Sequence, residues 1–185
     1  MKHRTTLAVL TLLPCLTLVT GCTQESSTTQ PVATNSTVDS SKYLLTEEPA
    51  DVSTVIEARE QSEDGSDVVL VGRIGGSPNP WIDGQAAFSI VDPTLKACSD
   101  IPGDECEKPW DYCCVTHKLP AATALVKFIG DDGRPLPADA RELLNLKELQ
   151  TVVVRGKAKR DEAGNLTVLA SSLFVRGRNK PAATE

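Results

Sequence analysis

The sequence predicts a mainly β domain: a small closed sheet of five strands, with one short helix between strands three and four, an N-terminal helix, and a cysteine-rich loop inserted between strands two and three. Three observations carry this. Short runs rich in Val, Ile and Leu recur between turn segments of Gly, Pro, Asp and Asn. A glycine, Gly72, sits inside the first run, where a small barrel needs a bulge or a sharp coil. Hydrophobic residues make up 40% of the 185 residues but aromatics only 4%, so a core can form and must be largely aliphatic.

Taken in order, Pro49, Ala50, Asp51 and Val52 open a helix in which Val52, Val55, Ile56 and Arg59 share one face, and the polar residues 61–66 end it. Residues 68–74 form the first strand and residues 75–80 a turn region. Residues 86–91 form the second strand, with Phe88 and Ile90 on one face. Residues 92–120 are rich in Pro, Cys and acids and show no period. Residues 123–129 are the third strand. Asp139 reads as an N-cap with Glu142 as its capping-box partner, and Ala140, Leu143, Leu144 and Lys147 continue the helix. Residues 152–159 and 166–175 form a terminal hairpin turned by residues 161–165.

Three strands, a helix and a hairpin resemble an OB-fold, a five-stranded Greek-key barrel. The residues that carry the resemblance are Val71-Gly72-Arg73-Ile74, Phe88-Ser89-Ile90-Val91-Asp92 and Val154-Arg155-Gly156-Lys157, and it spans roughly residues 66–176. An open β-sandwich is the alternative. The whole chain resembles uncharacterised bacterial lipoproteins whose barrel carries the insertion Pro109-Trp110-Asp111-Tyr112-Cys113-Cys114, a resemblance that brings no activity with it.

The N-terminus accounts for that second resemblance. Lys2 and Arg4 form a basic start. Residues 7–19 are apolar but interrupted by Pro14 and by threonines, shorter than the about 20 apolar residues of a spanning helix. Val19-Thr20-Gly21-Cys22 then resembles the lipobox of bacterial lipoproteins, an apolar residue and two small ones before the lipidated cysteine. The resemblance implies removal of residues 1–21 as a signal peptide, diacylation of Cys22 on sulfur, further acylation of its amine with a palmitate-like chain, and a lipid-anchored location in the cell envelope outside the cytoplasm. Thr23 stands where an Asp would resemble an inner-membrane retention signal, which leans toward an outer membrane. Two or more acyl chains, at about 0.8 kcal/mol per buried CH2, give stable anchoring. Residues 22–46, rich in Ser and Thr, read as a lipidated flexible tether. The domain then spans residues 47–178, with the insertion at 92–120, and residues 179–185 read as a disordered tail.

Net charge is -6, and about -8 once Lys2 and Arg4 are removed, which excludes a chain that coats nucleic acid or anionic lipid with its whole surface. Residues 151–185 are locally basic, with seven Lys and Arg against three acids. Within them Arg155, Lys157 and Lys159 alternate along a strand and share a face. No aromatics interleave them, so solvent exposure is the first reading and OB-type binding of a polyanion the second, with nucleic acid disfavoured by an envelope location.

Of six cysteines, Cys15 leaves with the signal and Cys22 takes lipid. The other four, Cys98, Cys106, Cys113 and Cys114, crowd a 17-residue window of the insertion. An exported chain with an even count favours two disulfides. A bridge between the neighbours Cys113 and Cys114 is strained, so each is expected to reach back to Cys98 or Cys106. Closed loops of about 8 to 16 residues contribute on the order of 2–3 kcal/mol. The alternative is a Zn or Cu site built from the four thiolates with His117 in reserve; against it, the Cys-x7-Cys-x6-Cys-Cys spacing departs from the paired spacing of zinc sites. A redox pair lacks the Cys-x-x-Cys motif. The acids Asp100, Asp104, Glu105, Glu107 and Asp111 do not have EF-hand spacing. Trp110 and Tyr112 read as caps on the barrel.

His3 and His117 are the sole histidines, and no phosphate loop or nucleophile motif is present, so no catalysis is read and no cofactor is implied. The sequence therefore points to a non-catalytic, membrane-attached module that binds an envelope protein or polymer. A metal-handling or redox module on the four cysteines is the first alternative, and an OB-type polyanion or nucleic-acid binder the second.

Overall fold

The computed structural model describes residues 38–178. The signal peptide, Cys22 and the greater part of the tether, together with the tail 179–185, lie outside the described residues.

Six strands and three short α-helices make up the domain. A two-residue strand β1 (Ser53–Thr54) precedes helix α1 (Val55–Gln61). Strands β2 (Asp67–Ile74), β3 (Ala87–Val91) and β4 (Thr123–Phe128) follow, with a one-turn helix α2 (Leu119–Ala122) just before β4. Helix α3 (Ala140–Leu144) leads to β5 (Thr151–Arg160) and β6 (Leu166–Val175). The barrel order is β2-β3-β4-β6-β5, and β5 pairs back onto β2 to close it. Neighbours are antiparallel except β4 and β6, which run parallel. The domain is thus a closed five-stranded OB-like barrel; β1 adds only a short parallel pairing to β2 at Leu70 and Val71.

Period-two alternation fills the interior. On β5, Val152, Val154, Gly156 and Ala158 are buried while Arg155, Lys157 and Lys159 face solvent. On β6 the buried set changes parity, from Leu166, Val168 and Ala170 to Leu173 and Val175. The cause is a bulge: Arg155 pairs with Ser172 but Gly156 pairs with Ala170, which leaves Ser171 as the extra residue. Its hydroxyl donates to the Arg155 carbonyl at 3.3 Å. Gly156 permits this crossing, since a Cβ there would meet the backbone of Ala170 at 2.9 Å. Of the bulge or sharp coil expected at Gly72, no bulge against β5 is found. The β2–β5 ladder runs through Gly72 in register, and the position is small because the Ile90 side chain packs against it.

Two helix starts also differ from expectation. Residues 49–52 do not open α1, because Ser53 and Thr54 are held extended on β2. The helix starts at Val55 with a capping box in which Thr54 Oγ1 accepts from the Glu57 N–H at 3.2 Å and Glu57 Oε2 accepts from the Thr54 N–H at 2.8 Å. Asp139 does cap α3, but its side chain accepts from the Arg141 N–H at 2.8 Å and from Arg141 Nε at 2.9 Å rather than sharing a capping box with Glu142. Asn145, at φ 49°, ends that helix before Lys147.

The stretch assigned to the tether is shorter than its composition suggests. Residues 38–46 lie on the barrel: Leu44 bridges Leu173, the Leu45 N–H donates to the Leu173 carbonyl at 2.8 Å, and the Leu173 N–H donates to the Tyr43 carbonyl at 2.7 Å. Tyr43 meets the Phe128 ring edge-on at 5.6 Å. Few apolar residues suffice here because β6 offers a backbone edge and Phe128 an aromatic face. Phe128, Phe88 and Trp81 continue the aromatic contact into the core.

Candidate functional site

The insertion between β3 and β4 is a long hairpin loop with a closed neck. Val91 pairs with Thr123, and the Asp92 N–H donates to the Ala122 carbonyl at 2.8 Å. Asp92 is fully buried. Its carboxylate accepts from the Ile56 N–H at 2.8 Å, the Thr94 N–H at 2.9 Å and Thr94 Oγ1 at 2.6 Å. Burial alone would push this carboxyl up; the hydrogen bonds outweigh it and hold the group below the ordinary aspartate value. One side chain therefore fixes the loop's first turn and satisfies an orphan N–H at the start of α1.

Beyond the neck, the loop has its own small core of Val91, Ala97 and Tyr112, packed by Leu95, Val115, Leu119 and Leu149. Arg73 of β2 reaches out to the loop, pairing with Asp100 and donating from Nε to the Leu149 carbonyl at 3.3 Å. Asp100 also accepts from the Ala97 N–H at 3.0 Å, and the Arg73 guanidinium holds its carboxyl below the usual range. Trp110 and Tyr112, expected as caps on the barrel, pack with the loop and the 75–78 turn and not in the barrel core. Tyr112 is buried against Gly75, while Trp110 is half-buried and donates from Nε1 to the Pro78 carbonyl at 3.2 Å. The Tyr112 hydroxyl is buried with no hydrogen-bond partner among the described residues, and burial pushes its pKa up to about 12.

On this scaffold the cysteines converge. The Cys98 N–H donates to the Asp111 carbonyl at 2.8 Å and the Ser99 N–H to the Pro109 carbonyl at 3.0 Å, which lays Cys98 beside the segment entering Cys113. Their sulfurs lie 3.4 Å apart. The sulfurs of Cys98, Cys106 and Cys113 all fall within 4.8 Å of one another. Cys114 Sγ lies 3.8 Å from Cys113 Sγ and 3.8 Å from Asp104 Oδ2, outside that mutual group. No two of the four are bonded to each other. Cys98 is buried, Cys106 half-buried, and Cys113 and Cys114 exposed. Burial first, then the hydrogen bond with Cys113, pushes the Cys98 thiol up to about 12. Cys113 is raised as well: its contact with Cys98 favours the thiolate, but Cys114, desolvation and Cys106 together outweigh it.

The sequence-derived sites therefore separate. Of the four cysteines expected to pair as two disulfides, Cys98, Cys106 and Cys113 come together unbonded, while Cys114 turns toward Asp104. His117, in the exposed 3-10 turn Cys113–Lys118, is not in the group. Among the described residues the loop's carboxylates form no such cluster: Asp100 is taken by Arg73, and Asp104 Oδ1 accepts from the Cys106 N–H at 2.7 Å. The basic strip on β5 does face solvent, but Lys157 pairs with Asp67 at 3.0 Å and Lys159 with Asp64 at 2.9 Å, which leaves Arg155 as its member without an ion pair among the described residues. These acids lie in and just before β2, brought alongside β5 by barrel closure. The bracing roles of Asp92, Arg73 and Arg160 are not legible in the sequence, since their partners are 36, 27 and up to 102 residues away.

No family model matches the chain, and no curated protein matches it. Among solved structures, 73% of the chain is similar to a protein described as "a putative aspartyl-tRNA synthetase from Leishmania major Friedlin", with 7% identity and a TM-score of 0.39. The chain spans about a quarter of that protein, 24%, and a likeness this low carries no argument about function.

Proposed function

We propose that this chain is a lipid-anchored module of the bacterial cell envelope that binds or braces an envelope protein or polymer without catalysis, its cysteine loop being the distinctive surface and a disulfide between Cys98 and Cys113 its staple. The observation that carries the reading is the 3.4 Å approach of those two sulfurs in a loop otherwise fixed by its neck, an ion pair and a small core. Bonding closes that gap to about 2.05 Å. The step is balanced by an external carrier disulfide: two cysteine thiols give up two protons and two electrons, the Cys98–Cys113 bond forms, and the carrier leaves as two thiols. The oxidising compartment is what the lipobox at Cys22 implies. Attachment in this reading runs through the acyl chains of Cys22; among the described residues no helix is long and apolar enough to cross a membrane.

The test is mass spectrometry of the chain extracted from membranes. The N-terminal peptide is expected to begin at Cys22 and carry acyl chains, and peptide mapping to link Cys98 with Cys113. An unlipidated N-terminus that retains residues 1–21 would refute the anchor, and four freely alkylated thiols would refute the staple. Polyanion binding through Arg155, Lys157 and Lys159 is a weaker reading, because two of the three cations already have carboxylate partners.

A further inference from the structure

Three sulfurs from three separate points of the loop meet in one place, and hydrogen bonds of the loop backbone bring them there rather than bonds between sulfurs. Cys98 is held by its N–H on the Asp111 carbonyl, Cys106 by its N–H on Asp104 Oδ1, and Cys113 follows directly on buried Tyr112. A single metal ion at about 2.3 Å from each of three sulfurs separates them by about 4 Å. The observed set, with one pair at 3.4 Å and every pair within 4.8 Å, brackets that spacing.

We propose that the reduced loop binds one soft, thiophilic cation through Cys98, Cys106 and Cys113, in a three-coordinate thiolate site best matched to Cu(I). The donor set chooses the class of ion. It is sulfur alone, with no carboxylate or imidazole in the group among the described residues, and thiolates select Cu(I), Zn and iron–sulfur clusters over hard cations. The coordination number chooses within the class. Structural zinc takes four ligands in a tetrahedron. Cys114, the nearest fourth sulfur, lies beside Cys113 but outside the mutual group, and His117 is outside it too. The ion displaces three thiol protons to solvent as it binds, and no electron is transferred. A bond between Cys98 and Cys113 removes two of the three ligands, so oxidation and metal loading exclude each other. The inference shares with the proposed function the view that this loop is the working surface, but it does not need the anchor or the staple.

The experiment is an anaerobic titration of the full, reduced chain with Cu(I) against a chromophoric Cu(I) chelator, with the Cys98→Ser/Cys106→Ser/Cys113→Ser chain as the blank that accounts for Cys15 and Cys22. One Cu(I) per chain above the blank is expected, together with an ultraviolet thiolate-to-copper band. Cys106→Ser and Cys113→Ser are expected to lose that site, while Cys114→Ser and His117→Ala keep it. X-ray absorption at the copper edge of the wild-type chain counts the sulfurs directly and does not depend on any variant folding; three are expected. Binding no greater than the blank, loss of the site in Cys114→Ser, or four-coordinate Zn(II) binding that outcompetes Cu(I) each overturns the proposal. A blank titration leaves the acylated N-terminus and the Cys98–Cys113 link untouched, and a missing acyl chain leaves the metal site untouched.

Discussion

Asp92 and Tyr112 illustrate opposite treatments of a buried polar group. Asp92 has a full set of donors, and its folded-state pKa lies below the unfolded one. Its contribution to stability is therefore present above the unfolded value of about 4 and is lost as pH falls through the folded value. Asp92→Ala leaves the Ile56 and Thr94 N–H groups unpaired and is expected to lower unfolding free energy by about 1–3 kcal/mol at neutral pH, with the difference from wild type shrinking in acid. Denaturant melts at pH 7 and pH 3 check both statements, and a deficit that stays constant with pH would contradict the ionised network. Tyr112 buries a hydroxyl that has no partner among the described residues. Tyr112→Phe removes the unpaired group and keeps the ring, so it is expected to be neutral or stabilising by up to about 1 kcal/mol. A clear loss of stability in the same melts would mean that the hydroxyl has a partner.

Among the elements, α1 and the β5–β6 pair depend most on distant residues. Helix α1 has only seven residues, too few to stand alone. It is held at both ends, by Asp92 at Ile56 and by Arg160, whose Nε donates to the Ser62 carbonyl at 2.9 Å and whose guanidinium also reaches the Ala58 carbonyl at 3.3 Å. A cation at the C-terminal end complements the helix dipole. The capping box at the other end makes Thr54→Ala cost about 1 kcal/mol, measurable by thermal melting. The bulge on β6 sets which residues of that strand face inward on either side of Ser171. Because backbone rather than a movable side chain faces Gly156, Gly156→Ala is expected to cost about 1–3 kcal/mol and to disturb amide exchange at Leu169 and Ala170. Unaltered exchange there would argue that β6 can shift to take the methyl group.

At the scale of the whole molecule, barrel closure decides what the surface looks like. Pairing β5 with β2 sets Asp67 opposite Lys157, turning what reads in sequence as a basic strip into alternating charge. The segment 38–46 completes the aromatic end of the barrel through Tyr43 and Leu44. A chain starting at residue 47 is therefore expected to melt at lower temperature than one starting at residue 38, because it uncovers Phe128 and frees two backbone groups of Leu173. Equal melting temperatures would show that the docked segment adds nothing. The cysteine loop lies at the other extreme of organisation, a 29-residue excursion from residue 92 to 120 fixed by a neck, an ion pair and a small core.

Strand positions were legible in the sequence because alternation and turn residues are local. The strand expected at residues 166–175 has the bounds observed for β6, and Phe88 and Ile90 face the core as their spacing implied. Composition and spacing also marked the four loop cysteines as one group. Tertiary structure decided which three sulfurs meet, that Lys157 and Lys159 have acidic partners, that the bulge falls opposite Gly156 rather than at Gly72, and that Asp92 joins α1 to the loop. Each of these is a contact between residues far apart in the chain. A periodic pattern records which way a side chain faces, whereas the partner it finds there depends on how the strands close into a barrel.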